Sequence, residues 1–369
     1  MKRTKKLTAA AVILTAALAL CSCGTAGGTA EGSAVSGGTR AETGASSSAG
    51  SEVTRELFAM DTYMSVTAYG RNADRAVHDA IQEIKDLDAM LTTGDDTSEV
   101  GKINANGSGI LSEDGKKLMK RSLELYESTD GTFDISIYPV MELWGFPTKN
   151  YRVPDDQEIR KALKLVDASK IRFDESTGEV SFELSGMKID FGGIAKGYTS
   201  SKVMDLFRQE GVTSGIINLG GNVQALGTKP DGSDWRIGIR GPGETDADAK
   251  DYVGILTAHD KAVITSGGYE RYFEKDGKRY HHIIDPSTGY PAESGVVSST
   301  IVSSDGTLAD GLSTTLFILG PDRAAQYWRA HSDEFDYVLM TEDGSLLVSE
   351  GLEHNFTSDR KITIVRRDG

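Results

Sequence analysis

Between Asp74 and Leu91 the apolar residues Val77, Ile81, Ile84, Leu87 and Leu91 recur at helical spacing, which predicts a helix with one greasy face. His78 stands beside that stripe and reads as a solvated or half-packed side chain. A second helix is predicted from about Ser112 to Ser128, with Ser112 as its cap and Gly131 shortly after its end. Apolar runs predict strands at Met64–Tyr69, Met187–Phe191, Ser214–Leu219, Tyr252–Ala258, Val296–Ser303, Tyr337–Thr341, Leu346–Ser349 and Ile362–Val365. Asp343-Gly344 between two of them is a hairpin signal. A helix is predicted over Ala195–Gln209, and another over Leu308–Leu319 that ends at Gly320. Pro321 then opens a further helix to about His331. Strands and helices are mixed, with hairpins toward the end, so the fold class is α+β or mixed α/β.

The first residues break this pattern. Lys2, Arg3, Lys5 and Lys6 precede a run from Leu7 to Leu20 without a charge, which reads as a secretory signal. The only two cysteines, Cys21 and Cys23, follow it. Leu20-Cys21-Ser22-Cys23 resembles a bacterial lipobox, which implies cleavage after residue 22, lipidation of Cys23 and a membrane-anchored protein facing the extracytoplasmic side. Residues 24–51 are mostly Gly, Ser, Ala and Thr, too poor in large apolar residues to fold, and read as a tether. The organisation expected is therefore signal 1–22, lipidated cysteine and linker 23–51, and a body over 52–369. Loss of the four basic residues takes the formal charge from −15 to −19. A body this acidic is a poor partner for nucleic acid.

Five segments of the body carry candidate chemistry. Asp190-Phe-Gly-Gly-Ile-Ala-Lys-Gly197 crosses a glycine pair into a helix, where free N–H groups and Lys196 suit phosphate. It matches neither a dinucleotide fingerprint nor a Walker loop, and a tight turn is an equal reading. Asn218-Leu-Gly-Gly-Asn222 suits a turn with positive φ, and a plain turn is its favoured reading; Thr265-Ser-Gly-Gly-Tyr269, followed by Glu270 and Arg271, offers hydroxyls and backbone amides for phosphate or ribose, or is again a turn. His281-His282 stands before Asp285-Pro-Ser-Thr-Gly289, but no other His or Cys stands at zinc-ligand spacing. A lone histidine acting as base or phosphate contact fits better. Asp310 and Thr314 lie four apart on one helix face, where a carboxylate and a hydroxyl suit a hard cation. A helical Ser or Thr also commonly bonds its own backbone.

Together and in this order, these segments resemble the ApbE family of FAD:protein FMN transferases. The marks are Met60-Asp-Thr-Tyr-Met-Ser65, Ser98-Glu-Val-Gly-Lys-Ile-Asn104, Gly131-Thr-Phe-Asp-Ile-Ser-Ile-Tyr-Pro139 with Leu143-Trp-Gly-Phe146, and Asp190–Tyr198. The Asn218 glycine turn, Thr265-Ser-Gly267, His282-x-x-Asp285-Pro-x-Thr-Gly289 and Ala309-Asp-x-x-x-Thr314 complete the set.

The resemblance implies a T-fold-like body of mixed sheets flanked by helices, with an FAD cleft between lobes. It implies a divalent metal, Mg²⁺ or Mn²⁺, held by Asp310, Thr314 and the carbonyl of Gly193, with Ser313 as a further donor. Flavin and adenine contacts map to Met60, Gly94, Thr132, Phe133, Asp134, Asp190, Lys196 and Ile284. The second residue of the Met60 motif, often glycine in that family, is Asp61 here. His282 or Asp190 takes the acceptor's proton. The implied reaction moves FMN from FAD to a threonine of an acceptor flavoprotein. The alternatives are hydrolysis of FAD to FMN and AMP, and FAD binding without catalysis.

Overall fold

The computed structural model describes residues 51–242 and 252–368. The signal, Cys23 and the tether up to residue 50 lie outside the described residues. Elements run β1 (Glu52–Ala59), β2 (Thr62–Tyr69), α1 (Ala73–Leu91), α2 (Glu99–Asn106), β3 (Ser108–Ile110) and α3 (Glu113–Ser128). Then come α4 (Tyr138–Trp144), α5 (Asp156–Leu163), β4 (Ile171–Phe173), β5 (Glu179–Phe182) and α6 (Ala195–Gln209). They continue with β6 (Gly215–Leu219), β7 (Asn222–Leu226), β8 (Trp235–Arg240), β9 (Tyr252–Ala258), β10 (Ala262–Gly267), β11 (Tyr272–Lys275) and β12 (Lys278–His281). Last are β13 (Val296–Ser303), α7 (Gly306–Ala330), β14 (Phe335–Thr341), β15 (Leu346–Ser349), β16 (Phe356–Thr357) and β17 (Ile362–Val365). The mixed α/β class expected from the pattern is what forms.

A nine-stranded sheet in the order β1-β2-β6-β7-β10-β13-β14-β15-β17 is the frame. Its neighbours pair antiparallel except β15 and β17, which run parallel. Helix α1 lays its stripe on β1, β2 and β6 together with α6, burying Val77, Ile84, Phe207 and Ile217 in one cluster. His78 is exposed, as its place beside the stripe suggests. On the other face Trp235, Ile237 and Leu256 of the sheet β16-β9-β8 pack against Val263, Val302 and Val338. Strand β13 is therefore covered on both sides, with Ile301 facing the helices and Val302 the second sheet.

The helix ends follow their local chemistry. Ser112 caps α3 by accepting the Gly115 N–H at 3.2 Å. Helix α7 bends where Gly320 takes φ +76°, ψ +173°, a backbone only glycine adopts without strain, and Pro321 restarts the helix.

One expected element is corrected. Residues 187–190 form no strand. The segment is extended, but Asn104 satisfies it in place of a neighbouring strand: its amide donates to the Ile189 carbonyl and accepts the Ile189 N–H, both at 2.8 Å. Asp190 N–H then donates to the Ile135 carbonyl at 2.9 Å. A side chain mimicking a ladder leaves the same apolar spacing as a strand.

Candidate active site

Three hydrophobic clusters meet around a cleft of about 630 Å³. The main core contributes Phe133, Ile135 and Phe191, and the α1–α6 cluster contributes Ala59. The third is a smaller lobe built on Trp144, Phe146 and Ile284, with the β11–β12 aromatics Phe273 and Tyr280 stacked against them. Every site residue expected from the sequence within the described residues lines this cleft, except Ser313.

Helices α6 and α7 set the innermost wall. A Cβ on Gly197 would lie 2.1 Å from the Gly306 carbonyl and 2.5 Å from the Asp310 Cβ, so the crossing is possible only with glycine there. That closeness lets Gly197 N–H donate to Asp310 Oδ2 at 2.8 Å. Asn222, from the β6–β7 turn, donates to Asp310 Oδ1 at 2.9 Å. Asp310 is 4% exposed and, among the described residues, has no cation within ion-pair distance. Burial pushes its carboxyl above the usual range, opposed by the Lys196 charge and these hydrogen bonds.

One turn further, Thr314 faces the cleft, with Ser266 Oγ of β10 3.2 Å from its hydroxyl. Ser313 sits behind it, fully buried, donating to the Asp310 carbonyl at 2.8 Å and lying 2.7 Å from Ser266 Oγ. The backbone bonding common to helical hydroxyls thus holds for Ser313; Thr314 makes no such bond. A carboxylate with spare lone pairs, a hydroxyl bonded only to Ser266 and the Gly193 loop on one cleft wall fit a hard cation that takes oxygen donors. Among the described residues there is no group of three or more His, Cys, Asp or Glu that could hold a metal ion.

Above this wall the Asp190 loop turns into α6. Asp190 Oδ1 accepts the Gly192 N–H at 2.8 Å, so the carboxylate shapes its own turn, and burial raises its pKa. The segment forms the tight turn its glycines suit, and it lines the cleft. Asp134 reaches the cleft but spends its oxygens inward: Oδ1 accepts from Ser136 N–H and Oγ–H at 2.7 and 2.6 Å, and Oδ2 from Ala168 N–H at 3.3 Å. Its part is to hold the Thr132–Ile137 turn in shape.

At the rim, Met60 and Asp61 close the β1–β2 hairpin with φ +47° and +60°. Both central residues are left-handed, as a two-residue hairpin turn requires, and this explains why glycine suits position 61. Lys149 lies 3.5 Å from Asp61 across the rim.

Opposite, His282 Nδ1 donates to the Arg271 carbonyl at 3.1 Å, leaving Nε2 with the free lone pair. Burial, then the Arg271 and Lys196 charges, hold its pKa down to about 3. His281, half-buried, sends Nε2 to the Ala292 carbonyl at 3.1 Å and packs edge-on against Phe317, a structural part.

Sequence reasoning overlooked four contributors. Ser266 and Asn222 stand inside the glycine motifs, yet Ser266 reaches Ser313 and Thr314 across 47 and 48 residues of chain, and Asn222 reaches Asp310 across 88. Glu270 and Arg271 follow the Thr265 motif directly. Glu270 opens to the cleft, but crowding by protein, with the Asp310 charge adding to it, pushes its pKa up to about 7.

The comparisons with known proteins agree with this arrangement. A family model described as the ApbE family matches residues 60–339. An FAD:protein FMN transferase of Klebsiella pneumoniae (strain 342) is 36% identical over 272 residues, covering 73% of this chain and 83% of that protein. One from Treponema pallidum (strain Nichols) is 31% identical over 321 residues, covering 82% and 88%. The crystal structure of the ApbE protein from Thermotoga maritima superposes with a TM-score of 0.75 at 33% identity, covering 82% of this chain and 98% of that one. Match, relatives and architecture lead to one conclusion: the chain belongs to the ApbE family.

Proposed function

We infer that this protein transfers the FMN moiety of FAD to a threonine of an acceptor flavoprotein and releases AMP. The observation that carries this reading is the buried Asp310, its carboxylate oriented by Gly197 and Asn222 and flanked by the Thr314 hydroxyl, in the same cleft as Lys196 and His282. The related proteins named FAD:protein FMN transferase support it.

Asp310, Thr314 and the Gly193 carbonyl would hold the divalent cation, and Ser313 would fix Thr314 through Ser266. Bound there, such a cation supplies positive charge to the diphosphate and its leaving oxygen. Lys196 adds a fixed cation to the same oxygens. The threonine oxygen forms a bond to the FMN-side phosphorus as the P–O bond to AMP breaks. The threonine proton passes to His282 Nε2, the ring nitrogen left unprotonated by the Arg271 carbonyl. Asp190 is tied to its own turn and shapes the loop instead. Transfer requires that water be kept from the diphosphate, since water otherwise takes the threonine's place.

The N-terminal run and Leu20-Cys21-Ser22-Cys23 support a lipid anchor at Cys23 that holds the body outside the cytoplasmic membrane on its tether.

Incubation with FAD, Mg²⁺ and a candidate acceptor tests the activity. Covalently yellow acceptor plus AMP is the expected result. Free FMN without labelling would make the protein a hydrolase, and unchanged bound FAD would make it a binding protein.

A further inference from the structure

Two cations reach this cleft with carboxylates near them but none in contact: Asp190 and Glu270 feel both the Arg271 and Lys196 charges, and Asp310 feels Lys196. Lys196 and Arg271 both line it, and neither makes an ion pair or a side-chain hydrogen bond among the described residues. The other arginine of the same hairpin is already engaged. Arg279 stacks on the Tyr272 ring, 4.0 Å from its centroid, and bonds Glu274 at 3.4 Å. Half-buried, Arg271 leaves a guanidinium in a walled cleft with its five donors unused. Such a group has donors to offer any anion that comes within hydrogen-bond distance.

The hairpin explains its placement. In the β11–β12 register Tyr272 faces His281, and the next pair is Arg271 with His282. The Arg271 carbonyl accepts the His282 backbone N–H at 3.0 Å and its Nδ1–H at 3.1 Å. Residues paired across an antiparallel hairpin carry their side chains on one face. Arg271 and His282 thus enter the cleft side by side, facing the wall that carries Lys196 and Asp310. One residue fixes the histidine with its carbonyl and presents a forked cation beside it.

We propose that Arg271 is a second diphosphate-binding residue, closing on the FAD phosphates from the side opposite Lys196 and the Asp310 helix. This rests on the reading of the cleft as an FAD site. A guanidinium presents two parallel N–H donors that match adjacent phosphate oxygens, which an ammonium cannot do. The diphosphate would lie between a cation on each wall, with its reacting phosphorus next to His282.

Equilibrium binding of FAD, and of ADP as a flavin-free diphosphate, to the full-length protein in Mg²⁺ tests this at several salt concentrations. Arg271→Gln should weaken both ligands by ~10-fold or more, the scale of a lost charge-assisted pair. It should also flatten the dependence of affinity on salt, because one screened charge contact is gone. Arg271→Lys, which keeps charge but loses the fork, should restore the salt dependence and recover only part of the affinity. This second variant decides the matter if Arg271→Gln melts well below wild type. Binding by Arg271→Gln within about twofold of wild type, with an unchanged salt dependence, would overturn the proposal. So would an Arg271→Lys variant with the salt dependence of the glutamine form. Failure of the wild-type protein to bind FAD would instead overturn the functional reading on which the proposal rests.

Discussion

Asp310 concentrates the argument about single side chains. Its carboxylate is buried, raised in pKa, and held by one backbone and one side-chain donor. Removing it by Asp310→Ala should lower turnover by at least ~10²-fold through lost neutralisation of the diphosphate. Steady-state AMP release measures this, and wild-type-like turnover would remove Asp310 from the metal site. His282 makes a prediction about stability. Folded and with no diphosphate in the cleft, its pKa is held down to about 3 by burial and the Arg271 and Lys196 charges; unfolded, it is near 6.5. The unfolded chain binds more protons between those values, so the contribution is full above about 6.5 and is lost as pH falls toward 3. Melting temperature followed from pH 7 to 4 should therefore fall less steeply in His282→Gln than in wild type. Parallel curves would mean the imidazole is not held neutral.

The crossing of α6 and α7 places Asp310 more than any one bond does. Gly197→Ala forces a methyl onto the Gly306 carbonyl and the Asp310 Cβ. Overpacking of this kind costs roughly 1–3 kcal/mol, and the displaced helix would carry Asp310 with it. Denaturant melts should show that loss together with reduced activity; a stable, fully active alanine variant would show the helices free to part. The sequence disclosed α1, α3, α6 and the bent α7 because each announces itself locally, by a stripe, a cap or a Gly-Pro break. It disclosed the site because glycines, Asp310, Thr314 and His282 stand in recognisable short motifs. It did not disclose β1, β7 or β10, whose polar and small residues blur the pattern, and it passed over β8 although Trp235, Ile237 and Ile239 alternate there with exposed residues. Nor did it separate the Asn104-clamped segment at 187–190 from a strand, since only the partner distinguishes them. Contacts such as Asn222 with Asp310 depend on chain topology and have no local signature.

The body and its N-terminal leader make a joint prediction. With Cys23→Ala the protein should move from the membrane fraction to the soluble fraction, as read by fractionation and immunoblot; retention on the membrane would place the anchor elsewhere. Among the described residues no helix is long and apolar enough to cross a membrane, so within them nothing helical would substitute for the anchor. Strand β1 begins at Glu52, one residue after the tether, and forms the outermost strand of the nine-stranded sheet. Its outward residues include Glu52 and Glu56, while Val53 and Leu57 face the helices. Molecules confined to a single surface collide flank to flank, and an unpaired strand border invites them to zip together. Were the protein anchored at Cys23, an antiparallel pairing of two β1 borders about Thr54 would set Glu52 of one copy against Glu56 of the other, and that like-charge contact would disfavour the pairing of crowded neighbours.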